Sequence, residues 1–225
     1  MCKALPRWLW PALMLLPAAV FAAGMHIIKL PPPRMDDSGL CLMQALKHRH
    51  STRAYSERPL PPQVLSDLLW AAFGINRPAS GGRTAPSAHD WQEITIYVAL
   101  RDGLYRYEAK RHALIPVSHR DVRKLTGVQD FVATAPVNLI YVADFARMQG
   151  ASYDDRRLYS AADTGFIAEN VYLSATAQGL GSMVRATMKR ADLDEAMGLA
   201  PREHITLAQT VGYPAHRKGT GNKRR

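Results

Sequence analysis

Cysteine is nearly absent: the 225 residues hold two, Cys2 and Cys41. Cys2 lies in a segment expected to be removed, so no intrachain disulfide is expected and a disulfide-stapled scaffold is excluded. Cys41, on an apolar stretch, reads as a small core residue, not a nucleophile. Metal-ligand spacings are missing too, since neither H-x-x-x-H nor C-x-x-C occurs. His48 and His50, two apart on a helix, point in different directions, so no structural metal is expected. There is no G-x-S-x-G, no Walker-type glycine loop and no G-x-G-x-x-G. These absences remove the hydrolase elbow, the P-loop and a tightly held Rossmann dinucleotide. Beyond the first two dozen residues no stretch approaches the ~20 apolar residues that span a bilayer. Acidic residues are scarce beside basic ones, 19 against 29, giving a net charge of +10. That balance favours an anionic partner: a phosphate-bearing cofactor, nucleic acid or an acidic membrane surface. The basic residues are spread along the chain without interleaved exposed aromatics, which ranks nucleic acid and lipid lowest.

What is present suits one domain with a sizeable core, 47% of the residues being hydrophobic. Residues 1–22 read as a secretory signal peptide. Lys3 and Arg7 make the basic start, Leu9 to Val20 the apolar stretch, and Val20-Phe21-Ala22 a small-x-small cleavage site. An uncleaved anchor is the competing reading. With cleavage, the protein is expected in the periplasm or otherwise exported, without a stable membrane span. Residues 23–37 hold Pro31, Pro32 and Pro33 and form an extended N-terminal arm. Residues 38–214 form the main domain and 215–225 a basic C-terminal tail.

Within the domain, a helix begins after Asp37 or Ser38, with Leu40, Met43 and Leu46 at helical spacing, and ends near Arg49. Another starts at Pro61 or Pro62, where proline suits a first helical turn. Its apolar face is Leu65, Leu68, Leu69, Ala72 and Phe73. Residues 77–90 read as a long, glycine- and proline-punctuated loop of the kind that binds or covers a ligand. Strands are expected at 94–100, 103–107, 137–145, 181–187 and 204–213. The longest helix is expected over Tyr159–Gln178, ended by Gly179, and a short one near Ala191–Met197. Irregular alternation of helices and strands points to an α+β fold.

Three segments carry candidate chemistry. Arg49-His50-Ser51-Thr52-Arg53 sets two guanidiniums around two hydroxyls, a donor set suited to a phosphate or a polyol. A solvated basic helix end would look the same. Residues 83–92 hold a Pro86-Ser87-Ala88 turn whose small side chains admit a flat ring. Gly212-Tyr213-Pro214 closes a strand ahead of the basic tail. Taken in order, IIKLPPP (27–33), the A-L-x-x-R-x-S-x-R run from Ala45 to Arg53, RTAPSA (83–88), GLYRY (103–107), N-x-Y-L (170–173), QGLGS (178–182) and VGYP (211–214) resemble the nitroreductase family of flavin enzymes. The likeness is closest to the short branch that includes the SagB-type dehydrogenases of peptide azoline oxidation.

That resemblance implies a mixed β-sheet flanked by helices, in a homodimer that holds FMN at the subunit interface. It implies an oxidoreductase passing hydride through flavin N5 to or from a small organic substrate. Arg49 and Ser51 would hold the phosphate and ribityl chain, with His50 and Thr52 beside them. Arg53 would sit near N1 and O2, where a cation stabilises the reduced ring. Pro86, Ser87 and Ala88 would pack on the ring from the partner subunit, and the backbone at Met183, Val184 and Arg185 would pass the N5 edge. Lys223 and Arg225 are candidate tail cations for the phosphate. Asp90 departs from the family, which commonly carries Asn there, and the Lys-Tyr pair of azoline oxidation has no recognisable counterpart. The electron donor is expected to be NAD(P)H or, for an exported protein, a periplasmic redox partner. The alternatives are a catalytically silent flavin- or ligand-binding module of the same fold and a basic exported anion-binding protein.

Overall fold

The computed structural model describes residues 24–36 and 39–215. The expected signal peptide (1–22), and the tail with Lys223 and Arg225, lie outside the described residues. In chain order the elements are β1 (Ile28–Lys29), α1 (Leu42–His48), α2 (Pro62–Phe73), β2 (Ile75–Arg77), β3 (Gly82–Arg83), β4 (Ile94–Leu100), β5 (Gly103–Glu108), β6 (Ala113–Ser118), β7 (Val137–Asp144), α3 (Tyr153–Ala177), β8 (Gly181–Arg185), α4 (Arg190–Met197) and β9 (Glu203–Gly212). Seven strands form one sheet in the order β1-β6-β5-β4-β7-β9-β8, and β2 and β3 form a separate hairpin. The fold is α+β, as expected. Among the described residues every ladder is antiparallel, and the parallel component is one bridge between Ser51 and Ser182.

β7 lies in the middle of the sheet because all but the last residue of VNLIYVAD is buried, a run that only a strand covered on both faces can use. One face packs on α2 and α3 through Leu68, Leu69, Ile96, Leu139, Tyr141 and Ile167. The other, through Tyr97, Ala99, Leu104, Ile140 and Val142, is covered by Leu193 and Met197 of α4. α3 runs 25 residues, about 37 Å at 1.5 Å per residue. It starts earlier than the pattern predicts, because the Ser152 hydroxyl caps it by accepting from the Asp155 N–H at 3.1 Å. Asp154 and Asp155 add favourable charge in its first turn. Gly179, at φ +71, turns the chain out of the helix.

Several expectations are corrected. α1 is short and buries only Ala45; Leu40, Leu42, Met43 and Leu46 are exposed. Cys41 is its exposed N-cap residue, not a core residue. The 77–90 segment is not one open loop, since β2 and β3 pair within it and a 3-10 turn covers Ala88–Asp90. β6 was not foreseen, because Pro116 interrupts its pattern. The proline is tolerated because β1 pairs only with Ala113 and Leu114, leaving the outer edge free beyond them. The arm is held along α2: the Ser66 hydroxyl donates to Pro31 O, Gln63 Nε2 donates to Pro32 O, and the Arg34 backbone N–H and Nε donate to the two Asp67 carboxylate oxygens.

Arg185 shows what the α4-side face of the sheet demands. Its side chain is 5% exposed. It donates to Thr126 O (2.8 Å), Thr126 Oγ1 (2.7 Å), Asn138 Oδ1 (2.8 Å) and Thr210 Oγ1 (2.6 Å). Burial lowers its pKa to about 10, so it stays charged at neutral pH. Replacing it by Met should leave these acceptors short of donors and destabilise the fold by about 3 kcal/mol. A urea midpoint that drops at constant slope would report this.

Candidate functional site

α1 ends at Arg49, whose backbone N–H bonds to Ala45 O, and the chain then runs extended along the edge of β8. The Thr52 N–H donates to Ser182 O at 2.9 Å, which staples residues 51–52 to that edge. Only glycine at 181 permits this approach: a Cβ there would meet three Thr52 side-chain atoms at 2.6 Å. Beyond Arg53, the Ser56 N–H donates to Tyr213 O, the Ala215 N–H donates to Ala54 O, and Tyr55 bridges Pro214. The VGYP motif therefore clamps the chain just past the arginines. Arg58 lies over the Tyr213 ring at 4.3 Å, a cation–π contact at the same clamp.

Tyr172 of α3 is the hub of this region. Its hydroxyl accepts the Val184 N–H at 2.8 Å and lies 3.2 Å from Ser51 Oγ. When it donates to Ser51, the Ser51 hydroxyl keeps its own hydrogen for an outside acceptor. Arg49 is half-buried, with its guanidinium 5.2 Å from the Tyr172 ring centre and 3.8 Å from the Glu169 carboxylate. Arg53 is exposed and makes one long bond, 3.5 Å, to Ser51 O. The His50 side chain is exposed and reaches His48 O at 2.9 Å. Thr52 Oγ1 is buried with no partner. The region thus offers two guanidiniums, Arg53 with one long bond to Ser51 O and Arg49 loosely paired with Glu169, together with the Tyr172-held Ser51 hydroxyl and a flat strand edge.

Successive residues of β8 point to opposite faces. Val184 packs toward the α3 core, whereas Arg185 is engaged by Thr126, Asn138 and Thr210 on the other face. The Arg185 guanidinium is therefore engaged away from the seam between residues 51–52 and β8, and the backbone of 183–185 runs along the strand edge. That edge is real, because β8 is the last strand of the sheet.

The Pro86–Ser87–Ala88 segment stands apart. The Ala88 N–H donates to Asp163 Oδ2 at 2.9 Å, and Ser87 Oγ lies 3.2 Å from Glu93 Oε2. Asp163 and Tyr172 are nine residues apart on α3, about 13 Å along its axis. Within one chain the structure thus brings together Arg49, Ser51, Thr52, Arg53 and the β8 edge, and it does not bring Pro86–Ala88 to them. Asp90 is exposed, accepts from Gln92 Nε2 at 2.9 Å and has φ +53, a left-handed conformation that Asp and Asn tolerate better than most residues.

Three residues of consequence were not singled out from the sequence. Tyr172 was visible only as part of the N-x-Y-L motif. Glu93 and Asp163 gave no signal beyond being acids beside apolar runs. Among the described residues no cluster of His, Cys, Asp and Glu could hold a metal, and no helix is long and apolar enough to cross a membrane.

Comparison with known proteins follows this geometry. Residues 46–213 match the nitroreductase family. A crystal structure of a candidate nitroreductase from Ralstonia eutropha is 44% identical, covers 92% of this chain and 98% of its own, and superposes with a TM-score of 0.81. A candidate nitroreductase of Methanocaldococcus jannaschii is 32% identical over 181 residues, 76% of this chain and 90% of that one. The NADPH-flavin oxidoreductase of Vibrio harveyi is 26% identical over 102 residues, 42% of each chain. With a family match over residues 46–213 and two relatives, 44% and 32% identical, that align with most of both chains, this chain belongs to the nitroreductase family.

Proposed function

We propose that the protein is a flavin-dependent oxidoreductase that binds FMN between two copies of itself and passes hydride to or from a small organic substrate. The observation that carries this reading is the segment from Arg49 to Arg53 stapled to the outer edge of β8, with Arg53 exposed and Arg49 only loosely paired with Glu169 at 3.8 Å. A cationic end, hydroxyls and a flat backbone edge are what a phosphate, a polyol chain and a planar ring require. The flavin named in the Vibrio harveyi relative supports the same cofactor class.

When bound, the flavin would supply the hydride chemistry, and the chain's side chains hold and tune it. Arg49 and Ser51 would hold the phosphate and ribityl chain, and Arg53 would stabilise negative charge on the reduced ring. Tyr172 keeps Ser51 and the Val184 backbone in fixed relation. Lys223 and Arg225 would add cations to the phosphate from the tail. Pro86–Ala88 would come from the second copy, which the separation along α3 within one chain supports. The exposed Leu42, Met43 and Leu46 of α1 and the exposed Leu158 and Phe166 of α3 are apolar side chains that such a twofold contact would cover. Placement in the branch of the SagB-type dehydrogenases rests on motif order alone, and the missing Lys-Tyr pair withholds azoline oxidation from it. Export rests on the N-terminal pattern, and leaves the donor as NAD(P)H or a periplasmic redox partner.

The purified protein should carry flavin absorbance near ~450 nm that bleaches with dithionite. Arg49→Glu and Arg53→Glu should each raise the FMN dissociation constant by about 10- to 100-fold. Unchanged flavin content would move the site elsewhere. Paired substitution of Leu42 and Met43 by Glu should shift the sedimentation coefficient from dimer to monomer, and an unchanged value would remove α1 from the contact.

A further inference from the structure

Two carboxyl groups are buried behind the Pro86–Ala88 segment. Glu93, immediately before β4, has no exposed surface, and Asp163, on the inward side of α3, is 2% exposed. The two carboxyls lie behind neighbouring residues of that segment, and the Asp163 charge bears on Glu93. Two carboxylates cannot hydrogen-bond to one another, because both are acceptors; a bond between them needs a proton. Glu93 Oε1 is buried and meets no N–H or O–H donor, so a proton shared with Asp163 would satisfy it. Each carboxyl also grips the segment in front of it: Ser87 Oγ bonds to Glu93 Oε2 at 3.2 Å, and the Ala88 N–H donates to Asp163 Oδ2 at 2.9 Å.

The segment needs such ties. His89, Asp90 and Gln92, three non-glycine residues within four positions, have φ between +47 and +53. That conformation is sparsely populated and persists only where surroundings enforce it. Further ties hold Gln92, whose N–H donates to Ser87 Oγ, whose side-chain oxygen takes Arg83 Nε and whose carbonyl takes Arg147 Nη1, and backbone bonds join Asp90 N–H to Ser87 O and Trp91 N–H to Ala88 O. Ser87 and Ala88 are fixed to α3 and β4 by the carboxyl pair.

We propose that Glu93 and Asp163 share one proton and act together as a positioning pair for the Pro86–Ala88 segment, so that loss of that proton loosens the segment and weakens flavin binding. The cofactor part of this inference rests on the proposed function; the shared proton does not.

The charged and titratable groups around the pair are His89 and Asp90 on its own segment, Arg83 of β3, Asp144 and Arg147 at the end of β7, and Tyr159 on α3. Arg83 and Arg147 are engaged by Gln92, and Asp144 is paired with Arg202 and Arg147. Burial, and then the neighbouring Asp163 charge, push the Glu93 carboxyl up to about 7. A raised carboxyl pKa means that the folded state binds the proton more tightly than the unfolded one. The stabilisation is therefore present below the unfolded value, near pH 4.5, and is lost as pH rises through about 7.

The test uses the full chain and Glu93→Gln, whose amide can donate to Asp163 and accept from Ser87 without titrating. In the wild type, an infrared carbonyl band of a protonated carboxyl should be present near about pH 6 and fade toward about pH 8; Glu93→Gln should lack it. The FMN dissociation constant, read by flavin fluorescence, should rise about tenfold over that range in the wild type and stay within about twofold in the variant. Absence of the band from the wild type near pH 6 overturns the shared proton, and needs no variant to fold. An equal pH slope in both proteins overturns the positioning role. No FMN binding at any pH sinks the cofactor reading and the positioning role with it, while the band still decides whether the proton is shared.

Discussion

The candidate site depends on one close approach, that of Ser51 and Thr52 to the outer edge of β8. An edge strand presents unpaired N–H and C=O groups, and here they are answered by a neighbouring stretch of chain and a tyrosine, not by another strand. Gly181 lets the two backbones meet, Thr52 N–H and Ser182 O join them, and the Tyr172 hydroxyl takes the Val184 N–H while reaching Ser51. Without that seam, Arg49 and Arg53 would sit on the frayed end of a seven-residue helix. With it, two cations are held beside a flat, hydrogen-bonding edge.

α3 supplies the frame for everything on its side of the sheet. Its capped start and glycine-ended finish set its length, and its inward stripe sets the spacing between Asp163, under Pro86–Ala88, and Tyr172, under Ser51. A rigid helix keeps those points apart, so within one copy the Pro86–Ala88 segment and the Arg49–Arg53 seam do not meet. The opposite face has another task. Arg185, Asn138 and Thr210 form a satisfied buried network beneath α4, so the Arg185 side chain serves the fold while its backbone stays on β8.

The strands with unbroken apolar runs or clean alternation, β4, β7 and β9, were legible because burial on one or both faces leaves that pattern directly in the residues. β6 was not, because Pro116 is tolerable only at a sheet edge whose existence depends on how far β1 extends. α1 shows the converse: the spacing of Met43 and Leu46 marks a helix, although it begins at Leu42 and leaves Leu40 outside, and spacing cannot say whether the apolar face turns toward the core. Among site residues, Arg49, Ser51 and Arg53 were readable because their chemistry is concentrated within five positions. Tyr172, Glu93 and Asp163 were not, because each acts through a partner 6 to 121 residues away.

By itself the sequence determined the order of motifs, the family they belong to, the cationic cluster after the first helix and most of the strands, since these are properties of neighbouring residues. Only the tertiary structure decided which of those residues face one another. Whether an arginine is walled in by acceptors, and how strongly an acid holds its proton, are set by dielectric and distance in three dimensions: the sheet surrounds Arg185 with acceptors, and burial raises the Glu93 carboxyl.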